Sequence, residues 1–540
     1  MALELSDPST SPFALSRKPA YGHRGAVATS QPVAAQAGMA MLEQGGNAVD
    51  AAIATAMALA VVEPTSNGLG SDAFALVWSE DTLHGLNASG RAPAALSIDA
   101  CRARGHATTM PDFGWLPVTV PGAVSQWVAL HERFGCLPFA TLAVPAIELA
   151  EHGFVATPIV SRFWQAAVGD YVRAALGPAG AAWFTTFAAT GRGPLPGELV
   201  RLPDHARTLR SIAASTGRSF YEGELAAAIG EFAATTGGVI TAEDLAAHQP
   251  EWVTPIGTNY RGFDVWEIPP NGQGITALMA LNMLEGFDIG ALDVLSERAW
   301  HLKIEAIKLA FADANAYVSD PLRADVPVIG MLDKSYAAAR RQLITEEASN
   351  PTAGTPPRGG TVYLCAADGD GNMVSFIQSN YMGFGSGVVV PGTGISLQNR
   401  GANFSLDGSH PNALEPGKRP YHTIIPGFLT RDASAVGPFG VMGGFMQPQG
   451  HVQVITATID HHLHPQAALD APRWRWDEQR RVIVEPRTPQ HVVDALRARG
   501  HRVGIEPESS AFGRGQMIWR LGDALVAGSE SRADGCALVR

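Results

Sequence analysis

The sequence predicts a layered α/β fold, and three observations carry that expectation. Apolar residues recur at helical spacing in several segments of the first 360 residues. Short β-rich runs lie between those segments. After a stretch rich in Pro and Gly the pattern changes to strands, and no repeat period recurs along the chain.

The helical segments come first. Residues 34–62 are Ala-rich, and Gly45-Gly46-Asn47 divides them into two predicted helices. The most apolar part, Ala51 to Val62, is far shorter than the roughly 20 residues a membrane span needs, so it reads as a buried helix. Thr141 to His152, Ala206 to Ala214, Leu225 to Ala233 and Arg298 to Val318 carry the same periodicity. Phe74 to Trp78 and Phe263 to Ile268 read as strands. Residues 346–360, EEASNPTAGTPPRGG, have the composition of an exposed, mobile linker. Thr361 to Ala367 and Met373 to Ser379 then read as a hairpin turned by Asp368-Gly369-Asp370-Gly371-Asn372. A linker thus ends where a strand opens with a hydroxyl residue.

Composition excludes several classes of function. The chain has 540 residues, 17% charged and 46% hydrophobic, ordinary for a globular protein. Its net charge is −12, from 39 basic and 51 acidic residues. No Lys/Arg run is dense enough for a nucleic-acid stripe, so no nucleic-acid partner is expected. The N-terminus, MALELSDPSTSPFALSRKP, lacks the apolar core of a secretory signal, and no membrane span follows. Cys101, Cys136, Cys365 and Cys536 are far apart and lack CxxC spacing, which disfavours structural zinc and a disulfide framework. These features predict a cytoplasmic protein with reduced thiols.

The motifs narrow the chemistry. The DGDGN turn begins like a calcium loop, but Met373 and Ser379 stand where that loop needs Gly and Glu. Gly383 to Gly387 and Asn67-Gly68-Leu69-Gly70 fit neither a dinucleotide fingerprint nor a phosphate loop. Asp460-His461-His462-Leu463-His464 precedes Pro465 and reads as a polar helix entry. No GxSxG elbow and no protease-like Cys context occur. No cofactor and no metal are expected. Two features remain. If the chain were cut between Gly360 and Thr361, the freed α-amine of Thr361 could serve as base for its own hydroxyl. Gly443-Gly444 is a pair able to turn backbone N–H groups into a site, as an oxyanion hole requires.

Ordered motifs across nearly the whole chain resemble the γ-glutamyltransferase family. They include the opening block AVATSQPVAAQAGMAMLEQGGNAVDAAIATAMALAVVEPTSNGLGSDAF, VPGAVSQW, GGVITAEDLA, DGDGNMVSFIQS, KRPYHTIIP and MGGF. The resemblance implies an αββα sandwich, two antiparallel sheets between helical layers, of the N-terminal-nucleophile hydrolase type. It implies a precursor that cuts itself into a large subunit, 1–360, and a small one, 361–540, which together form one domain and pair further as a homodimer of processed heterodimers. Counting back from Asp370-Gly371-Asn372 puts the family nucleophile on Thr361, the residue the linker–strand junction also selects. Gly443 and Gly444 fall on the oxyanion positions, and Ser379 on the hydroxyl that bonds the nucleophile.

Departures from the family pattern bear on the substrate. Ser89 stands where the family has an α-carboxylate-binding Arg, with Arg91 two residues later. Asn403 replaces the Asp that takes the α-ammonium, and an amide cannot pair with an ammonium as a carboxylate does. His422-Thr423 replace a Ser-Ser pair, Tyr381 an Asn and Arg400 a Gln or Glu, and Gly70-Ser71-Asp72-Ala73 is also altered. The clamp for an α-amino acid is lost, so an amide of an acidic acyl group without an α-amino group fits better. Cephalosporin acylases and oxamate amidohydrolases are the similar branches. A true γ-glutamyltransferase or glutathione hydrolase, and an uncut homologue without activity, are the competing expectations.

Overall fold

In the computed structural model, which describes residue 13, residues 17–351 and residues 360–540, two antiparallel sheets of seven strands lie face to face. The first sheet runs, edge to edge, Ala20–Gly22, Ala524–Ser529, Arg514–Leu521, Ser434–Met442, Gly427–Arg431, Phe263–Glu267 and Ile256–Tyr260. The second runs Cys536–Val539, Gly25–Thr29, Gly360–Asp368, Met373–Tyr381, Asp72–Ser79, Thr82–Asn87 and Glu251–Val253. Both sheets mix strands from before and after the Gly360–Thr361 bond.

Close approach sets the spacing between the sheets. A Cβ on Gly440 would lie 2.5 Å from the Tyr363 ring of the facing sheet, so only glycine admits that ring. Helices cover both outer faces, which completes the αββα order. Helix Ala48–Val62 backs the second sheet, and all of its residues are buried. Its uniform Ala-rich surface suits a helix packed on every side. Asn47 caps it: the side chain accepts from Val49 and Asp50 N–H, and Asp50 answers with a bond from Asn47 N–H. Helix Pro32–Glu43 lies against it, with Gly38 at the crossing, where a Cβ would meet Thr55 Oγ1 at 2.2 Å. Helices Gly274–Leu284, Met446–Ile459 and Pro465–Asp470 back the first sheet.

The periodicity places the four helices, shortening three of them and shifting the fourth by one residue. The observed spans are Phe139–His152, Pro203–Ser215, Glu224–Thr236 and Glu297–Tyr317. Polar first turns, capping residues such as Ser296 and prolines such as Pro203 carry helix beyond the apolar pattern. The hairpin runs Gly360–Asp368 and Met373–Tyr381, and Asp368 Oδ1 accepts from Asp370 and Asn372 N–H to close its turn. The polar helix entry also holds: Asp460 bonds Tyr260 and Arg261, and His464 caps helix Pro465–Asp470.

The linker reading needs correction at its start. Glu346 pairs with Arg298 and Arg499, and Ser349 N–H donates to Glu305 at 3.1 Å, so this part is anchored by polar contacts that composition does not reveal. Residues 352–359 of that stretch, and most of the N-terminal stretch read for a signal, lie outside the described residues. The four cysteines are free thiols, and no described helix is long and apolar enough to cross a membrane.

Candidate active site

Thr361 faces a β-bulge in the neighbouring strand Met373–Tyr381. Gly360 pairs with Tyr381 and Val362 with Gln378, so the register slips across Thr361. Ser379 and Asn380 together stand opposite Thr361, and a bulge of this kind bends its strand and re-aims the side chains there. Here the buried Thr361 Oγ comes within 3.1 Å of Ser379 Oγ, and Gln447 Nε2 approaches it to 3.5 Å. Tyr381 N–H donates to the same Ser379 hydroxyl at 2.7 Å. That contact orients the hydroxyl toward Thr361 and occurs at a left-handed φ of +79° for Tyr381. A bulky residue in this conformation is strained, and such strain gathers at functional sites.

Gly443 and Gly444 follow strand Ser434–Met442 and lead into helix Met446–Ile459. Their φ angles, +135° and +60°, are open to glycine, and a Cβ on Gly443 would lie 3.2 Å from Gly513 Cα. Neither glycine N–H donates to a described residue. Two free amides at a helix N-terminus form a ready site for developing negative charge. Gln447, three residues into this turn, accepts from Ile425 N–H at 2.9 Å while its amide faces Thr361. Gln273 donates to both Thr423 O, at 2.6 Å, and Gly444 O, at 3.0 Å, which joins the glycine turn to the neighbouring wall.

That wall is a buried charge cluster. Asp72 is the strand partner of Ser379. Its carboxylate receives Arg400 Nε at 3.2 Å, Arg400 Nη2 at 3.3 Å and His422 Nε2 at 2.6 Å. Burial would raise the Asp72 pKa, but Arg400 and His422 outweigh it and hold it at about 2. Burial and then the Arg400 charge push His422 down to about 4, so its ring is neutral at pH 7. The Ile424 N–H donates to His422 Nδ1, which leaves the proton on Nε2, facing Asp72. Arg400 Nη1 also donates to Thr423 Oγ1 at 2.6 Å, and its guanidinium lies 4.5 Å above the Tyr381 ring. The Tyr381 hydroxyl donates to Asn403 Oδ1 at 2.7 Å, while the buried Asn403 Nδ2 has no partner.

The structure thus gathers Thr361, Ser379, Tyr381, Arg400, Asn403, His422, Thr423 and the two glycines around one strand junction. It does not bring Arg91 there. Arg91 pairs with Asp320 at 3.1 Å and Glu251 at 3.0 Å at a partly exposed position, so the two-residue offset sends it to other carboxylates. Ser89 is buried, and its hydroxyl donates to Asn87 Oδ1 at 2.7 Å rather than to any residue of that cluster. Sequence reasoning missed Asp72 as the counter-charge, and also Gln273 and Gln447. Asp72 stood inside the altered Gly-Ser-Asp-Ala run, and Gln447 three residues past Gly444, but only the fold joins them. A cavity of about 440 Å³ opens beside Gly443, walled by Phe163, Phe445, Met446, Trp476, Arg475 and Arg514. Among the described residues, only His301, Glu305 and His501 cluster as metal ligands do, and none of them contacts this site.

Comparison with known proteins agrees with this fold. The family model described as gamma-glutamyltranspeptidase matches residues 34–539. The crystal structure of a cephalosporin acylase from Bacillus halodurans superposes with a TM-score of 0.95 at 55% identity, covering 99% of each chain. A glutathione hydrolase-like YwrD proenzyme of Bacillus subtilis is 36% identical over 96% of this chain and 99% of its own. The acylase ACY 1 proenzyme of a Pseudomonas species is also 36% identical, over 98% of this chain and 96% of its own.

Proposed function

The chain belongs to the gamma-glutamyltranspeptidase family, and from that premise we propose that it is a self-processing amidase with Thr361 as nucleophile. The observation that carries the reading is the Thr361 hydroxyl opposite the bulge, 3.1 Å from Ser379 and approached by Gln447 from the helix that follows two glycines whose N–H groups donate to no described residue. In maturation the Thr361 hydroxyl adds to the Gly360 carbonyl, and the C–N bond breaks to leave an ester and the Thr361 amine. Water then hydrolyses the ester. Residues 1–360 end in a carboxylate, and 361–540 begin with a free amine. Interleaved strands hold the two pieces together.

In turnover that amine takes the proton of the Thr361 hydroxyl, which attacks the substrate amide. The Gly443 and Gly444 N–H groups stabilise the oxyanion, an effect worth about 3–4 kcal/mol per donor in related chemistry. The leaving amine departs with a proton, and water or another amine takes the acyl group from Thr361.

The acyl group we assign is acidic and lacks an α-amino group. Asp72, the carboxylate inside this cluster, is already engaged by Arg400 and His422 and is not free to hold an ammonium. The donors left over, Asn403 Nδ2 and the remaining Arg400 N–H groups, suit an acceptor such as a carboxylate. Acylases among the relatives support this reading, and the glutathione hydrolase-like relative supports a γ-glutamyl substrate instead. Glutaryl-p-nitroanilide and γ-glutamyl-p-nitroanilide, assayed side by side with the processed enzyme, separate the two. Higher kcat/KM on the glutaryl compound is expected, and preference for the γ-glutamyl compound would overturn the acyl assignment.

A further inference from the structure

A second cavity, of about 560 Å³, lies outside the Thr361 centre. It is formed where strands Arg481–Val484 and Arg502–Ile505 meet helix Gln490–Ala498. Arg480, Arg481, Arg497 and Arg502 line it, and Glu478 is the one acidic residue among its walls. This concentration of positive charge stands against a chain of net charge −12.

Arginines elsewhere in this region form short ion pairs with carboxylates, although Arg473 Nε, like Arg480 Nε, is buried without a hydrogen-bond partner. Arg473 bonds Glu530 at 2.7 Å, and Arg532 bonds both Glu485 and Glu530. Around the cavity the pairing is poor. Arg481 reaches Asp477 only at 3.5 Å, and Arg497 reaches Asp494 at the same distance. The side chains of Arg480 and Arg502 make no ion pair with any described residue, and Arg480 Nε is buried without a hydrogen-bond partner. A buried guanidinium N–H with no acceptor is costly, so such a donor marks the place for an incoming one. Gly500, at φ +90°, leaves room beside Arg480 Nη1, 3.6 Å from where a Cβ would stand.

The floor sharpens the charge preference. His501 lies there, within 4.8 Å of His301 and Glu305 through their ligand atoms, a spacing that by itself suits a metal ion. The surrounding charges oppose a cation. Lys308 Nζ sits 2.6 Å from Glu305 Oε1 and satisfies it. Arg480, Arg481, Arg497 and Arg502 add further positive charge beside it, a field that disfavours a divalent cation and draws an anion.

We propose that the cavity of Arg480, Arg481, Arg497 and Arg502 binds a multivalent oxyanion of the phosphate class. Planar guanidinium forks match phosphate oxygens two by two, which a single ammonium does not. The volume falls within the range of small-molecule sites, so more than one phosphoryl group fits.

Isothermal titration of the full chain with inorganic pyrophosphate, at fixed ionic strength, tests this. One saturable site per chain with a Kd below about 1 mM is expected, and acetate should bind at least about tenfold more weakly, about 1.4 kcal/mol. An Arg480→Gln/Arg502→Gln double variant should lose at least about tenfold in pyrophosphate affinity while amidase turnover stays unchanged. If the double variant fails to fold, Arg502→Gln alone serves, because that side chain is exposed. Absence of saturable binding to the unaltered chain, or equal affinity in a folded variant, overturns the proposal.

Discussion

The two halves of the candidate site are built on different principles. Around Thr361 the geometry is made by backbone: a register slip, a strained Tyr381 and two glycines at a helix start. In the adjoining wall it is made by charge, with Asp72, Arg400 and neutral His422 balancing one another in full burial. The difference separates reaction from substrate. On the proposed function, a backbone device for bond cleavage serves any acyl group, whereas the charge cluster selects among acyl groups. The γ-glutamyl and acylase names among the relatives are therefore compatible with one cleavage centre.

The largest expected effect falls on the first half. Thr361→Ala should leave the chain uncut and lower turnover at least about 10³-fold, the scale on which removal of a catalytic nucleophile acts. Cleavage that persists in this variant would move the nucleophile elsewhere.

The next effect falls on the second half. Arg400→Met leaves the Asp72 carboxylate buried beside a neutral histidine, a loss of about 3–5 kcal/mol for breaking a buried pair. Asp72→Asn with Arg400→Met removes both charges and should recover a large part of that loss. Urea unfolding of the four proteins of this cycle measures both, and additive losses would show that the two side chains are not coupled.

The smallest effect is a slope. His422 is neutral in the folded chain down to about pH 4, while an unfolded histidine takes up a proton near pH 6.5. Between those values the unfolded state binds more protons, so stability falls as pH falls through that window. Asp72 acts lower: its contribution is complete above its ordinary pKa of 3.8 and is lost as pH falls toward about 2. His422→Gln should make the decline of the unfolding midpoint between pH 6.5 and 4 shallower, the other histidines with lowered pKa, among them His205, His248, His461 and His501, keeping part of the slope. An unchanged slope would mean that His422 is protonated in the fold.

Much of the first half was legible in the sequence, because it depends on local signals. A hydroxyl residue opening a strand, a tight Asp-Gly-Asp-Gly-Asn turn and a glycine pair all lie on continuous chain. The two Ala-rich helices were legible for the same reason, with Gly45-Gly46-Asn47 marking their break and Asn47 supplying the cap. The second half was not legible in this way. Arg400 stood out as a new cation, but its partner lies 328 residues away and appears only when Asp72 aligns with Ser379 across two strands. Arg91 failed as a clamp candidate for the converse reason: proximity in sequence to Ser89 did not survive the pull of Glu251 and Asp320. Long-range pairing of charges is written in the fold and not in any one segment.

The most direct test of the central claim is the N-terminus of the small fragment after expression of the unaltered chain. Intact mass and N-terminal sequencing should give two pieces, 1–360 and 361–540, with Thr361 as the first residue of the second. A chain that stays whole, or a new N-terminus at any residue other than Thr361, would contradict the account.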